Sequence, residues 1–396
     1  MPLLAILAAG CFISSMSLRI IDPIVPDISR GLHVDPASVA MLASFYAFPY
    51  ALAQPVLGAL GDALGKARII KISLGVLSLC LAASALAPTL EALALARLVG
   101  GAAAGGIIPL AFAIVGDRFA MSERQLALSR VLTAIIGGQM IGSIGSGVVA
   151  SFLGWRIAMA AATALALAAF AVTLMQLRPA ARTHRQRPSL TEFLNGYRSV
   201  FANPRSVVCF AAVFVEGIVI FGLFPYIAVI LEQRGAGGVR EAGFVLAGFG
   251  LGGFIYAALV RLMLGRLGVY KLIAAGGLVA GVGLWFLSLV TPWPLAMATL
   301  VIVGVGFYMI HNSLQTQATE LAPTNRASAV AMHSFFMFLG LAFGPVVFGI
   351  GLAALGTAWT LHIAGAVMML LGAATAWGLK ARSAPSVSNV AGPPGM

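Results

Sequence analysis

Five ionisable residues fall within long apolar stretches of the sequence, where an ionised side chain is costly and is a candidate for function. They are Arg19, Asp22, Arg97, Glu216 and His311. A carboxyl group in such surroundings can bind and release a proton, and a guanidinium can pair with a carboxylate or a phosphate. These residue types therefore predict proton transfer and ligand binding inside an apolar interior.

Glu216 and Asp22 are the two candidate proton carriers. Glu216 lies about nine residues into its apolar stretch, which places it roughly 14 Å along a helix and close to the middle of a bilayer core. Asp22 follows Arg19 by three residues, so that the two side chains share one helix face and can neutralise each other. The alternatives are structural: a carboxylate fixed by Arg19 or by a hydroxyl, and a stabilising ion pair near one end of its helix.

Several polar and aromatic residues are predicted to line a substrate cavity. Arg97 stands near the end of its apolar stretch, from which its side chain could also extend to the membrane surface. His311 has polar neighbours in the same helix, but a packed, neutral histidine is an equally good interpretation. The predicted cavity residues are Arg19, Arg97, His311, Asn312, Gln315 and Tyr226.

His333 and Met337 form an H-x-x-x-M sequence, whose spacing places an imidazole and a thioether on one helix face. Such a soft pair suits Cu(I). The seventh apolar stretch of the chain, from 207 to 231, contains no methionine that could complete such a site. We therefore predict no bound metal and no cofactor.

The elements that carry these residues are membrane-spanning helices. Of the 396 residues, 60% are hydrophobic and only 9% are charged, which no soluble core could bury. Apolar runs of about 20 residues recur along the whole chain, without the alternation typical of a membrane β-barrel. The predicted helices are 3–28, 38–60, 69–87, 92–116, 127–150, 156–177, 207–231, 242–263, 270–290, 295–317, 327–352 and 357–379.

The net charge of +12 reflects loop composition and not a nucleic-acid surface. Most lysines and arginines, including Lys66, Arg118, Arg185 and Arg326, fall in the loops of one membrane side. The positive-inside rule makes that side cytoplasmic, and an even number of helices places both termini there. We expect a multi-pass protein of the inner (plasma) membrane that contacts lipid and binds no nucleic acid.

The chain divides into two similar halves. A polar, proline-containing stretch separates six predicted helices from the next six, and a shift of 202 residues aligns Arg124 with Arg326 and Pro23 with Pro225. Repeats of this kind are typical of transporters, which bind substrate between their halves. The predicted organisation is an N-terminal bundle at 1–177, a cytoplasmic linker at 178–206, a C-terminal bundle at 207–380 and a disordered tail at 381–396.

The loop after the second predicted helix resembles motif A of the major facilitator superfamily, G-x-L-a-D-r-x-G-r-k. Gly58, Asp62, Gly65 and Lys66 match this pattern, whereas Ala63 and Ala67 depart from it. The resemblance implies that these residues, together with Arg118 at the end of the fourth helix, govern the conformational cycle. A degenerate second copy occurs at 261–268.

Two further motifs resemble the drug:proton antiporter branch of that family. One is the segment that begins at Arg97, and the other is a glycine series on the fifth predicted helix, in which Ser143 replaces the proline of the antiporter motif. The equivalent series on the eleventh helix retains its proline. Close helix packing could be the whole role of both series. Their members are Gly138, Gly142, Gly147, Gly340, Gly344 and Pro345.

The resemblance implies an all-α fold of twelve transmembrane helices in two pseudo-symmetric bundles, and a monomeric transporter rather than an enzyme. The expected function is proton-coupled efflux of small amphipathic or toxic compounds by alternating access. The alternatives are a proton-coupled symporter of a small, anionic metabolite, a copper or other metal transporter, and a membrane sensor that transports nothing. The expected partners are a small-molecule substrate, protons and membrane lipid.

Overall fold

The computed structural model describes residues 3–177, 190–289, 292–323 and 325–382. Two bundles of six helices make up this part of the chain. The helices of the first bundle are α1 (Leu3–Leu32), α2 (Pro36–Leu64), α3 (Lys66–Ala85), α4 (Leu90–Arg118), α5 (Met121–Leu153) and α6 (Trp155–Gln176). Those of the second are α7 (Arg205–Gln233), α8 (239–267), α9 (269–289), α10 (Trp293–Leu321), α11 (326–355) and α12 (357–381).

The prediction of twelve spanning helices is confirmed in the described residues. Ten helices are long and apolar enough to cross a membrane. Two of these ten each consist of two spans joined without a loop, which gives twelve spans. Gly268, with φ 67°, divides α8 from α9, and Gly356, with φ 74°, divides α11 from α12. These left-handed dihedrals turn the chain sharply and are accessible to glycine at little cost. Several helices are longer than predicted, because hydropathy marks only the apolar part of a helix.

An even number of spans places the first and last helices' free ends on one face of the protein. We call this the terminal face; it also carries the α2–α3 turn at Gly65 and the N-terminus of α11. The other side, the opposite face, carries the turn at Gly154 and the segment between Gln233 and Val239. Helix α1 therefore starts at the terminal face and ends at the opposite face.

The predicted linker contains a helix, Leu190–Phe201, that was not predicted. It is short and amphipathic and therefore lacks the long apolar run that marks a membrane span. Its residue Val200 is fully buried, and its Ser199 hydroxyl accepts a hydrogen bond from Asn325 at the start of α11 (3.0 Å). Residues 178–189 of the predicted linker and residues 383–396 of the predicted tail lie outside the described residues.

The internal repeat is visible in backbone geometry. Helices α1 and α7 are both interrupted by a 3₁₀ turn, at Asp22–Ile24 and at Phe224–Tyr226, and both turns contain a proline. Proline lacks a backbone N–H and disturbs the hydrogen bonding of a helix interior. The two turns are related by the 202-residue shift predicted from the sequence, so the two bundles repeat the same local break.

The two glycine series lie at close helix contacts. A Cβ atom at Gly142 of α5 would lie 2.6 Å from the carbonyl oxygen of Met16 in α1, and one at Gly344 of α11 would lie 2.8 Å from that of Ile218 in α7. Such distances leave no room for a side chain. Gly138 and Gly340 make the equivalent contacts one turn away, against Phe12 and Phe214, and Gly147 lies against Val239 of α8.

Candidate functional site

Three helices of the second bundle bring together a carboxylate and two imidazoles. Glu216 of α7 is fully buried, and its Oε2 lies 3.1 Å from Nδ1 of His311 in α10. The ring of His333 in α11 lies 4.9 Å from that of His311, between centroids. Glu216 stands about 16 Å along α7 at 1.5 Å per residue, which is near the centre of a bilayer. We call these three residues the acidic–histidine cluster.

Packing fixes the geometry of this cluster. The ring of Phe307 stacks on that of His311 with centroids 5.0 Å apart and an interplanar angle of 10°. Gly217, next to Glu216, lies against the backbone carbonyl of Met337 in α11, which holds α7 and α11 close together. Oε1 of Glu216 and Nε2 of His333 are buried and have no hydrogen-bond partner among the described residues.

A second charged group lies in the first bundle, where the two bundles meet. Arg19 and Asp22 form a buried ion pair with a distance of 3.4 Å. The guanidinium of Arg19 lies over two rings of the second bundle, 4.3 Å from the centroid of Phe221 and 4.7 Å from that of Phe224. Such contacts are favourable cation–π interactions. Arg19 is therefore held from both bundles at once.

Arg97 of α4 lies near this pair and is 2% exposed. Its Nη1 donates a hydrogen bond to the carbonyl oxygen of Ser17 in α1 (2.7 Å), and its guanidinium lies 3.9 Å from the ring centroid of Tyr46 in α2. The hydroxyl groups of Tyr46 and Ser17 are 3.2 Å apart. Asp22 interacts electrostatically with both Arg19 and Arg97. We call Arg19, Asp22 and Arg97 the arginine cluster.

The other predicted cavity residues, Asn312, Gln315 and Tyr226, lie in different environments. Asn312 follows His311 and is half-buried, whereas Gln315 is exposed in the part of α10 nearer the terminal face. Tyr226 is buried, and its hydroxyl donates to the carbonyl oxygen of Pro345 in α11 (2.9 Å). Tyr226 thus joins the helix contact made by the second glycine series.

The motif A residues lie at the terminal face. Gly65, with φ 101°, ends α2, and Lys66 forms an ion pair with Asp117 at the end of α4 (2.7 Å). Arg118 is exposed, and no atom lies within 4 Å of a Cβ built at Gly58. The side chain of Asp62 lies outside the described residues. The motif thus connects the ends of α2, α3 and α4.

The partners that shape the two clusters have no signal in the sequence. The sequence pairs His333 only with Met337, its neighbour on the same helix, because spacing along one helix cannot reveal a contact with α10. Phe307 carried no signal in an apolar run, and Ser17 contributes a backbone carbonyl. Among the described residues, no group of three or more His, Cys, Asp or Glu side chains could hold a metal ion.

The opposite face carries charged contacts between the bundles. Nη1 of Arg30, at the end of α1, lies 3.0 Å from Oε2 and 3.1 Å from Oε1 of Glu232 in α7. Within the first bundle, a carboxylate oxygen of Asp27 accepts a hydrogen bond from the backbone N–H of Trp155, at the start of α6 (2.8 Å). Asp27, Arg30 and Glu232, together with the end of α5 and the start of α8, line a cavity of about 410 Å³.

Comparison with known proteins agrees with this architecture. The chain is similar to multidrug resistance proteins 1 and 2 of Bacillus subtilis, with 24% identity over 87% of the chain and 88% of the relative, and 25% identity over 97% of each. The fold matches a crystal structure of the nucleoside transporter NupG with a TM-score of 0.76 and 17% identity, over 96% of this chain and 99% of the other. The family model of the Major Facilitator Superfamily matches residues 7–331 and 240–394. The chain is thus a multi-pass membrane protein, and it belongs to the Major Facilitator Superfamily of transporters.

Proposed function

We propose that this transporter exports small amphipathic compounds in exchange for protons, and that Glu216 carries the exchanged proton. The supporting observation is the contact between Glu216 and His311 near the membrane centre. An ionised carboxylate is costly in a low-dielectric interior unless a proton or a cation compensates its charge. Glu216 can be compensated by its own proton, by a protonated His311 or by a positively charged group of the cargo.

Competition between the proton and the cargo for Glu216 couples the flux of protons to the flux of cargo. A cargo that lies against the ionised Glu216 displaces the proton, and a proton that binds Glu216 weakens the hold on the cargo. The bundles rearrange more readily when the buried charge is compensated, so each rearrangement carries either a proton or the cargo. Asp22 is the second candidate proton site, because it is a buried carboxylate on the other bundle, where it forms an ion pair with Arg19 at 3.4 Å.

The distribution of basic residues supports an orientation with the terminal face in the cytoplasm. Lys66, Arg118, Arg198 and Arg326 belong to this face. We therefore place the protein in the plasma (inner) membrane with both termini cytoplasmic. The proposed transport unit is a monomer with bundles at 1–177 and 207–380, a linker at 178–206 and a tail at 381–396.

In this orientation the structure is closed toward the outside. Arg30 contacts Glu232, Arg19 contacts Phe221, and Gly147 lies against Val239, all across the two bundles and nearer the opposite face. Gln315, in the part of α10 nearer the terminal face, is exposed. Rocking of the bundles about the membrane centre would separate the outer contacts and close the inner side, which is alternating access.

Export of amphipathic compounds is supported by the similarity to the two Bacillus relatives, which are multidrug resistance proteins. The aromatic residues Tyr46, Phe221 and Phe224 beside the arginine cluster offer apolar surface for such a cargo. A second candidate function is proton-coupled symport of a small anionic metabolite. It is favoured by the arginine cluster, in which two guanidiniums share one carboxylate.

The test is transport by the purified full chain in proteoliposomes with an imposed pH gradient, using ethidium and a panel of fluorescent amphipathic anions. Glu216→Gln mimics the protonated carboxyl group. We expect it to retain gradient-free exchange of cargo and to lose accumulation driven by the pH gradient. The matched control is Glu320→Gln, which removes an exposed carboxylate from the end of the same bundle. Gradient-driven accumulation by Glu216→Gln at the wild-type rate would refute the assignment of the proton to Glu216.

A further inference from the structure

Arg97 has one edge of its guanidinium engaged and the other edge free. Nη1 donates to Ser17 and the ring of Tyr46 covers one flat face, whereas Nε and Nη2 are buried and have no hydrogen-bond partner among the described residues. Nε and Nη2 are neighbours on the guanidinium and point in parallel. This is the edge that binds a carboxylate through two hydrogen bonds at once.

Helix packing fixes the orientation of that free edge. Four residues after Arg97, the backbone carbonyl of Tyr46 occupies the place that a Cβ atom at Gly101 would need. Helices α4 and α2 are therefore in direct backbone contact, and the position of Arg97 over the ring of Tyr46 follows from their register. The hydrogen bond to Ser17 adds α1 to the same rigid unit. A fixed guanidinium loses little freedom when it binds a ligand.

The charges around Arg97 favour an anion. The arginine cluster holds two guanidiniums, on Arg19 and Arg97, but a single carboxylate, on Asp22, which forms its ion pair with Arg19. One positive charge is left in surplus at a site where both arginines are at least nine-tenths buried. A buried charge of this kind is costly unless a partner compensates it. Phe221 and Phe224 of the second bundle border the cluster through Arg19, so a ligand there would contact both bundles.

We propose that the free Nε and Nη2 edge of Arg97 binds a carboxylate group of the cargo, so that the transported compounds are amphipathic zwitterions, which carry a carboxylate in addition to the positively charged group that compensates Glu216. The ring of Tyr46 and the rings beside Arg19 pack against the apolar body of the compound. This inference rests on the proposed function for the location of the cargo, and it specifies the chemical class that the cargo belongs to.

The experiment measures binding to the purified full chain without any proton gradient. Three carboxylates are compared with their primary amides, which have nearly the same shape and no charge: phenylacetate, indole-3-acetate and hexanoate. Apparent dissociation constants come from the concentration dependence of the midpoint of thermal unfolding. We expect the carboxylates to bind at least tenfold more tightly than the amides, and Arg97→Gln to abolish that preference without changing the affinity for the amides.

The control is Arg156→Gln, because Arg156 also lies over an aromatic ring, Trp155, and also donates to a backbone carbonyl, that of Ala87, but at the exposed edge of the protein. It should retain the full preference for carboxylates. If Arg97→Gln does not fold, Arg97→Lys keeps the charge without the two-pronged edge and should lose most of the preference. Equal affinity for acids and amides, absence of binding by all three acids, or an unchanged preference in the Arg97 variants would overturn the inference. None of these outcomes bears on the Glu216→Gln transport result, which tests the proposed function separately.

Discussion

Arg30 and Glu232 form an ion pair across the two bundles, and they stand 202 positions apart, which is the spacing of the internal repeat. The pair therefore joins equivalent positions of α1 and α7. Arg19 and its ring partner Phe221 are separated by the same 202 positions. Equivalent residues meet where they lie close to the axis that relates the two bundles. Both contacts therefore mark that axis in the half of the protein nearer the opposite face.

We predict that Glu232→Gln weakens closure at the opposite face. Arg30 is 59% exposed and Glu232 32% exposed, and exposed ion pairs contribute about 0–1 kcal/mol, so the open population should increase at most about fivefold. Spin labels at Ser151 and Arg240, which line the cavity from α5 and α8, measure the separation of the bundles. Glu320→Gln, within one bundle at the terminal face, should leave the distance distribution unchanged. A wild-type distribution in Glu232→Gln would show that the pair does not contribute to closure.

The helix contacts predict opposite effects of alanine at two glycines. Gly142→Ala should destabilise the protein, because its Cβ would lie 2.6 Å from the carbonyl oxygen of Met16 and force α5 and α1 apart. Gly116→Ala in α4 meets no atom within 4 Å and should be neutral or stabilising by about 0.5–1 kcal/mol, the helix penalty of glycine. Thermal unfolding in the same detergent measures both. An equal or greater loss of stability in Gly116→Ala would contradict this account of the glycine series.

The sequence alone predicts the features that depend on residues close together along the chain. The helices follow from apolar run length. The breaks at Pro23 and Pro225 were not predicted, and the missing backbone donor of proline explains them. Contacts between helices were not accessible in this way. His311 and Glu216 were each recognised as costly in an apolar span, but nothing in the sequence shows that α7 and α10 bring them to 3.1 Å. The carbonyl of Ser17 that orients Arg97 has no signal in the sequence, because every residue has one.

The basic loops predict the orientation of the protein in the membrane. Reporter fusions after Arg185 and after Lys380 should report cytoplasm, and fusions at Gly31 and Gly237 should report the external side. The physical reason is the excess of lysine and arginine in the loops of the terminal face. Matched alkaline phosphatase and fluorescent protein fusions give complementary signals at each position. An external signal after Arg185 would exclude the two-bundle topology with cytoplasmic ends.

We predict that His333 and Met337 do not form a copper site. His333→Ala and Met337→Leu should leave copper accumulation in cells unchanged, because α7, which packs against α11, has no methionine between positions 207 and 231 that could complete a soft site with them. Met337 contacts Gly217 through its backbone carbonyl, and His333 lies beside His311. Elemental analysis of cells that express the two variants and the wild type measures accumulation. A clear decrease in both variants would reassign His333 to a copper site.

The contact of Arg19 with Phe221 predicts that the aromatic ring helps to keep the opposite face closed. A desolvated cation–π contact contributes about 1–2 kcal/mol, and Phe221→Leu removes the ring while keeping an apolar side chain. A loss of this size corresponds to a roughly 5- to 30-fold increase in the open population. Because Phe224 still covers Arg19 at 4.7 Å, the lower end of that range is expected for the single variant and the upper end for Phe221→Leu combined with Phe224→Leu.

The spin labels at Ser151 and Arg240 measure this increase in the open population, as they do for the Glu232→Gln variant. Phe286→Leu is the matched control, because Phe286 is 56% exposed on α9 and forms no contact with the arginine cluster among the described residues. It should give the wild-type distance distribution. Combining Phe221→Leu with Glu232→Gln tests whether the two contacts act independently. If the changes in the free energy of opening add up, the Arg30–Glu232 ion pair and the buried ring contribute independently to closure of the opposite face. No change in the Phe221 and Phe224 double variant would mean that the rings only fill space beside Arg19, and closure would then depend on the contacts of α5 with α8, where Gly147 lies against Val239.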